Sequence, residues 1–483
     1  MTLTVSKMLA AAVLPLALSA ATGASAASSP TPLYKFPPVT NGAALRGSGP
    51  TAGVTADIAG ALYGTTTRGG NYDVNGFGGG VVFKLTPPAA GHTVWTETVL
   101  HAFTGFGDGI FPGNGNLVVA SGDVYGTTTG NASYILCGQN QNLSCDTIFK
   151  LTHPAAGKTG WTYSLLYRFA RPAEGYNPAG GLVMDKTGAL YGTAMAGGNM
   201  GCQNSFTNQQ RTKGCGVAYK LTPPANGKTA WTYSILHLFT GGVDGGLPAA
   251  ALLEDPSGSG VLYGTASTGG RSNCSFGNAN CGVVFKLTPP AGTAVRWTET
   301  VLYSFTGLTD GTGPVGALIM DRFGNLYGTT SAAGGACQII TGCGTAFALI
   351  VPPKGKTGWR FKTLHAFAGG GDGSVPLAAL TLGGAGKLYG TTSRQGDTNV
   401  NCGSAIGCGT IFKLTPPSKD IPIWTETVLY RFNSGANGGN SSASLHRNPA
   451  TDVLYGTASQ GGNLNCQLAT FTVGCGVVFS LKE

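Results

Sequence analysis

The tripeptide Tyr-Gly-Thr occurs seven times, beginning at Tyr63, Tyr125, Tyr191, Tyr263, Tyr327, Tyr389 and Tyr455. Successive copies are 62, 66, 72, 64, 62 and 66 residues apart. A period of this size marks an array of supersecondary units rather than one mixed fold. Each unit holds four strand-like pieces. In the third, a short apolar run at residues 181–184 is closed by the turn residues 185–188. Leu190-Tyr191-Gly192-Thr193 follows, then a long loop, then Val217-Ala218-Tyr219-Lys220-Leu221. The breaker at residues 223–227 separates these from a last piece that begins at Trp231. That last piece alternates with period two. In its counterpart at residues 161–169, Trp161, Tyr163, Leu165, Tyr167 and Phe169 share one face, and Thr162, Ser164, Leu166 and Arg168 share the other.

No helical period runs through residues 27–483, so the chain is read as all-β. Four strands per unit and seven units predict a seven-bladed β-propeller as one domain over residues 27–483. A β-helix needs shorter coils, and a string of separate domains needs linkers. The count of pieces predicts how the ring closes. The second and third pieces occur seven times. The Trp-led piece occurs six times, at Trp95, Trp161, Trp231, Trp297, Trp359 and Trp424. Leu33-Tyr34-Lys35-Phe36 matches Leu302-Tyr303-Ser304-Phe305 inside that piece, so the N-terminal strand is expected to complete the last blade. Closure removes the edges that an open array exposes.

Composition supports a packed, exported chain. Charged residues are 10% and hydrophobic residues 42%, which excludes disorder driven by charge. Residues 1–26 read as a secretory signal peptide, with Lys7 as the basic start, an apolar stretch over residues 8–20, and Ala24-Ser25-Ala26 as the cleavage site. A membrane-spanning helix is the competing reading. It is disfavoured by the short run, Pro15 and the absence of a basic stop. No later stretch is long and apolar enough to span a bilayer, so a secreted or periplasmic monomer is expected. Loss of Lys7 would take the formal charge from +9 to +8. These charges are not clustered as a nucleic-acid partner requires, so none is expected.

Twelve cysteines fall in pairs between the second and third pieces: Cys137 and Cys145, Cys202 and Cys215, Cys274 and Cys281, Cys337 and Cys343, Cys402 and Cys408, Cys466 and Cys475. One pair per equivalent loop favours local disulfides in an exported chain. A zinc site needs four ligands, each loop offers two, and no His stands at ligand spacing beside them. Neither a metal nor a cofactor is expected. A second recurrent feature is an acidic turn after the Trp-led strand, holding Asp108, Glu174, Asp244, Asp310 and Asp372, with Asn41 and Asn437 in the other copies. Asp and Asn suit turns. The sharper reading is a ring of oxygen ligands for a cation or polar ligand on the face that also bears the stapled loops. Asp185, Asp255 and Asp321 read as plain hairpin turns. Loop aromatics Tyr72, Phe77, Phe106, Tyr134, Tyr176, Phe206 and Phe276 either stack on sugars or pack beneath the loops.

Other motifs dissolve. Gly157-Lys158-Thr159, Gly227-Lys228-Thr229 and Gly355-Lys356-Thr357 resemble the end of a phosphate loop. The glycine required five residues earlier is replaced by Thr152, Thr222 or Ile350, and a strand rather than a helix follows. His101, His237 and His365 alternate with Tyr34, Tyr167, Tyr303 and Tyr430 at one strand position, which reads as interchangeable aromatic packing. His446 and Arg447 break the pattern of their own repeat and point weakly to a site. There is no nucleophile motif and no acid pair at hydrolytic spacing.

Leu326-Tyr327-Gly328-Thr329-Thr330 and Cys281-Gly282-Val283-Val284-Phe285-Lys286-Leu287 are similar to the GloVer tandem repeat of bacterial choice-of-anchor surface proteins. The resemblance spans nearly all of residues 27–483 and implies an exported bacterial repeat protein. It transfers no catalytic residue. Members of that group often end in a sorting or membrane segment, whereas this sequence stops at Lys482-Glu483. The expected function is a binding module for a glycan or a surface protein. The alternatives are a polysaccharide lyase or glycosidase on the same scaffold, and a passive structural surface protein.

Overall fold

The computed structural model describes residues 29–38, 46–70, 78–105, 107–113, 115–130, 146–202, 214–271, 274, 281–292, 296–335, 337, 342–397, 399, 401–402, 405–468, 471–472 and 474–483. The proposed signal peptide, Asn41, Cys137, Cys145 and six of the seven loop aromatics, all but Tyr176, lie outside them. Among the described residues there is no α-helix. Seven four-stranded antiparallel sheets form the seven blades of a β-propeller. Blades are numbered here by their Tyr-Gly-Thr copy.

Blade 4 is representative, with strands Leu253–Glu254, Leu262–Ala266, Val283–Thr288 and Thr298–Ser304 in sequential order. The first strand is short and faces the ring centre, and the last forms the rim. Blade 7 takes its rim strand from the other end of the chain: Thr31–Lys35 pairs antiparallel with Val477–Leu481, Thr31 opposite Ser480 and Lys35 opposite Val477. The N-terminal strand therefore closes the ring, as the count of pieces predicts.

Each residue of Tyr-Gly-Thr has its own physical job. The glycine lies opposite the aromatic residue of the third strand, as Gly328 opposite Phe347. A Cβ at Gly328 would stand 2.7 Å from Phe347 Cζ, and one at Gly126 2.6 Å from Phe149 Cζ. Side-chain volume, not backbone conformation, is what excludes other residues here. The ring that fills this space is fully buried in every blade. A β-bulge beside it shifts the register of the rim strand, for example between Val284 and Phe285.

The tyrosine and the threonine act across the seam to the next blade. Tyr191 of blade 3 meets Trp297 of blade 4 edge-on, with centroids 6.3 Å apart, and Tyr263–Trp359, Tyr327–Trp424 and Tyr455–Trp95 repeat the contact. The threonine hydroxyl donates to a backbone carbonyl ahead of the next blade's inner strand. Thr193 reaches Ala250 at 2.8 Å, Thr329 reaches Ala378 at 3.0 Å, and Thr457 reaches Ala52 at 2.8 Å across the closure. The hydrophobic core is accordingly a set of seam clusters. One joins Tyr191 and Phe239 of blade 3 to Phe285 and Leu287 of blade 4.

The turn aspartates are more than hairpin residues. Asp57, Asp185 and Asp321 each accept backbone N–H groups of their own turn and also the hydroxyl of the following Tyr63, Tyr191 or Tyr327, at 2.9–3.0 Å. These bonds fix the tyrosine that the seam needs.

Candidate functional site

The disulfide loops and the acidic turns occupy one end of the propeller. Backbone bonds knit them together: Leu247 N–H donates to Cys215 O, Gly313 to Cys281 O, Val375 to Cys343 O and Asn440 to Cys408 O. Five bridges stand among the described residues, Cys202–Cys215, Cys274–Cys281, Cys337–Cys343, Cys402–Cys408 and Cys466–Cys475, each local to its loop. The sixth bridge expected from the sequence, between Cys137 and Cys145, is not among these five. Both Cys137 and Cys145 fall outside the described residues. In the chain-entropy picture each bridge contributes about 2–3 kcal/mol.

The acidic side chains point into the protein. Asp244 accepts from Thr240 N–H and Oγ1 and lies 3.1 Å from His237 Nε2. Asp108 repeats this with Thr104 and His101, and Asp310 with Thr306 and the Tyr303 hydroxyl. Asp372 takes the Ala368 N–H and lies 3.1 Å from His365 Nε2, and Glu174 takes the N–H groups of Ala170 and Arg171 at 3.3 Å. Asp244 and Asp310 are only 9% and 5% exposed. Burial alone would raise the Asp108 and Asp244 carboxyls. Hydrogen bonds from the neighbouring His and Thr outweigh it and hold both below the ordinary carboxylate range.

A linkage missing from the sequence reading emerges here. The alternating His/Tyr position is not merely packing: it meets the acidic turn seven residues later. His101–Asp108, His237–Asp244, Tyr303–Asp310 and His365–Asp372 are such pairs, and Tyr430–Asn437 at 3.3 Å is the uncharged version. The constant spacing of seven was the signal. The backbone of the same turn also receives the next blade, through the Tyr163 hydroxyl to Asp108 O at 2.9 Å and Thr345 Oγ1 to Asp310 O at 3.2 Å. The acidic turns are clamps at successive seams.

At the ring centre is a cavity of about 720 Å³ walled by all seven blades. Its wall is uncharged and mostly small, with Ala250, Ala317, Ala378 and Ser444 beside larger apolar residues such as Leu182, Ile319 and Leu377, and with Asn116 and Asn177 as its amides. Thr129 and Met195, at the ends of the second strands of blades 2 and 3, carry it to the end that bears the stapled loops. None of the acidic-turn residues lines it. Asn116 Nδ2 reaches across blade 1 to Ser444 Oγ of blade 7 at 3.3 Å, over Gly53. His446, stacked against Tyr455 on the inner strand of blade 7, has its pKa lowered by burial and is not among the wall residues.

The model of the Gloeobacter/Verrucomicrobia repeat matches residues 200–469. The chain belongs to the Gloeobacter/Verrucomicrobia repeat family. No curated protein matches it. Solved structures align with the chain at low identity and low TM-score. An α-L-arabinanase of Penicillium chrysogenum complexed with arabinobiose is 12% identical, with 94% of this chain and 98% of that one covered and a TM-score of 0.42. A Trichoderma reesei carbohydrate-active enzyme of family AA12 is also 12% identical, over 95% and 98%, at 0.40. A luciferin-regenerating enzyme is 12% identical over 71% and 85%, at 0.39.

One more set of groups in this repeat-family propeller was not singled out from sequence. Glu97, Glu299 and Glu426 follow Trp95, Trp297 and Trp424 by two residues and face the preceding blade's clamp. Glu97 accepts the Tyr34 hydroxyl at 2.7 Å and lies 3.6 Å from Arg46 Nε. Glu299 faces His237 and Asp244, and Glu426 faces His365 and Asp372. Burial, with the adjacent aspartate adding to it and the histidine opposing, pushes Glu299 up to about 7. Below the ordinary value of 4.5, Glu299 is protonated in both folded and unfolded chains, and its full contribution to stability is present. Between 4.5 and about 7 only the unfolded chain gives up the proton, so stability falls as pH rises through that window. Glu299→Gln should leave stability near pH ~4 almost unchanged and raise it by ~2 kcal/mol near pH ~8. Denaturant titrations at the two pH values check this, and an equal effect at both would refute it.

Proposed function

We propose that this exported repeat protein is a binding module, and that its ligand is an uncharged glycan held at the central cavity and the stapled loops around it. The observation that carries this reading is the wall of the cavity. Alanine and glycine surfaces alternate with the amides of Asn116 and Asn177 and the hydroxyls of Thr51, Ser442 and Ser444. Such a wall offers hydrogen bonds to sugar hydroxyls and apolar contact to sugar C–H faces. A volume of about 720 Å³ lies within the usual range of small-ligand sites. No wall residue titrates, and the acidic-turn carboxylates are committed to their turns, which favours binding over acid–base hydrolysis. Five disulfides suit an oxidising compartment outside the cytoplasm.

A neutral glycan array probed with the wild-type chain and with Ala317→Trp tests the reading. Ala317 is a partly exposed wall residue. The expected result is wild-type binding that the tryptophan abolishes while the fold persists. An empty wild-type array, or binding indifferent to Ala317→Trp, would overturn it.

A further inference from the structure

The seams of this propeller repeat one His–Asp pair three times, faced once by a tyrosine and twice by a glutamate. At blades 1 and 2 the ring of Tyr163 stacks on His101, with centroids 4.6 Å apart, and fills the space beside the pair. At blades 3 and 4 Glu299 stands opposite His237 and Asp244. At blades 5 and 6 the approach is tightest. One ligand atom each from His365, Asp372 and Glu426 lies within 4.8 Å of the others, the only such trio among the described residues. His365 belongs to the rim strand Arg360–Ala366, Asp372 to the turn Gly370–Asp372 that follows it, and Glu426 to the rim strand Thr425–Arg431 of the next blade.

We propose that His365, Asp372 and Glu426 form a binding site for a divalent transition cation of the zinc class, bridging blades 5 and 6. Imidazole nitrogen and carboxylate oxygen are the donors such ions take, and three protein ligands leave a fourth tetrahedral position for water. Two of the donors are already close, since His365 Nε2 lies 3.1 and 3.2 Å from the two Asp372 oxygens. Ligand distances of about 2.0–2.2 Å therefore require a shift mainly of the Glu426 side chain. With the ring proton on Nδ1, the Nε2 lone pair faces the same point. Side chains of His365 and Asp372 remain 23% and 18% exposed, so an ion can reach them from solvent.

An independent observation concerns Glu426 itself. Its Oε1 is buried and has no hydrogen-bond partner among the described residues. A buried carboxylate oxygen without a donor is costly. The Oε1 atoms of Glu97 and Glu299 lack a partner likewise, but Glu97, at the same position of blade 1, receives a tyrosine hydroxyl on its other oxygen, which also lies near Arg46, whereas Glu426 receives neither. The one cation that acts on Glu426 besides His365, Arg431, donates its Nε to Gly371 O at 2.8 Å. A bound cation would supply the missing partner and tie the turn of blade 5 to the rim of blade 6.

Calorimetric titration of ZnCl₂ into the tag-free, disulfide-intact protein tests the site, with Co²⁺ absorption reporting the donor set. One equivalent should bind, and Glu426→Gln should weaken it by at least about tenfold, the least that losing a direct ligand is expected to cost. Glu299→Gln should leave it unchanged. His365→Ala should abolish the Co²⁺ spectrum. If that variant fails to fold, Glu426→Gln and Asp372→Asn carry the test alone. Absence of one-equivalent binding, or binding insensitive to Glu426→Gln, overturns the proposal.

Discussion

Deleting residues 29–36 is expected to unfold blade 7 and to cost more stability than any single substitution in the chain. The deletion removes the strand Thr31–Lys35 from its pairing with Val477–Leu481 and leaves that strand as a bare edge. It also removes Phe36, which is fully buried, lies edge-on to Phe83 of blade 1 at 5.2 Å, and donates its N–H to Gly476 O at 3.1 Å. Phe36→Ala alone should cost about 3–5 kcal/mol. The full deletion should exceed that and drive association through the freed edge. Denaturant unfolding and size-exclusion chromatography, with a peptide of residues 29–38 added back to restore the monodisperse form, check the expectation. An unchanged midpoint and elution volume would show that the ring is held shut by other contacts.

A second large effect is expected at the glycine of the repeated tripeptide. In an ordinary strand, Gly→Ala gains roughly 0.5–1 kcal/mol by restricting the unfolded chain. Gly328→Ala should instead lose about 1–3 kcal/mol. The new methyl would lie 2.7 Å from Phe347 Cζ and 3.0 Å from Leu318 Cδ2 and would force a fully buried ring aside. Pairing it with Phe347→Leu separates this cause from any other. The double variant should be more stable than the sum of the two single losses predicts, by about 1 kcal/mol or more. Gly160→Ala, where nothing lies within 4 Å, is the control and should be close to neutral. Strict additivity at Gly328 and Phe347 would refute the steric account.

The fold was legible because its determinants recur. Strand type, blade number and closure all rest on comparing like with like along the chain, and a period of 62–72 residues made seven comparisons available. The disulfide pairs were legible for the same reason, and the five within the described residues have formed as local bridges. The interior of the motif was less visible. That Thr457 binds Ala52, or that Tyr455 meets Trp95, depends on where one blade sits against the next, and no spacing within one repeat encodes it. The His–Asp pairs lie between these cases. Their separation of seven residues is printed in the sequence, but only the reversal of the chain after the rim strand turns separation into contact. The cavity was invisible, because alanine, glycine and serine carry no chemical signature until seven inner strands are set in a circle.

The pairing of Thr31 with Ser480 has a temporal meaning as well as a geometric one. The strand that completes the last blade is synthesised before every other strand of the ring, and its partner after every other. Until the partner arrives, Tyr34 and Phe36 lack their contacts with the strand Val477–Leu481, and no earlier blade offers the vacant rim they match. Loop-closure entropy grows slowly with length, so a long wait is thermodynamically cheap, but non-local pairing makes it slow. Final assembly of the ring is thereby gated on the arrival of the C-terminal strand, so that a prematurely terminated chain is left recognisably unfinished.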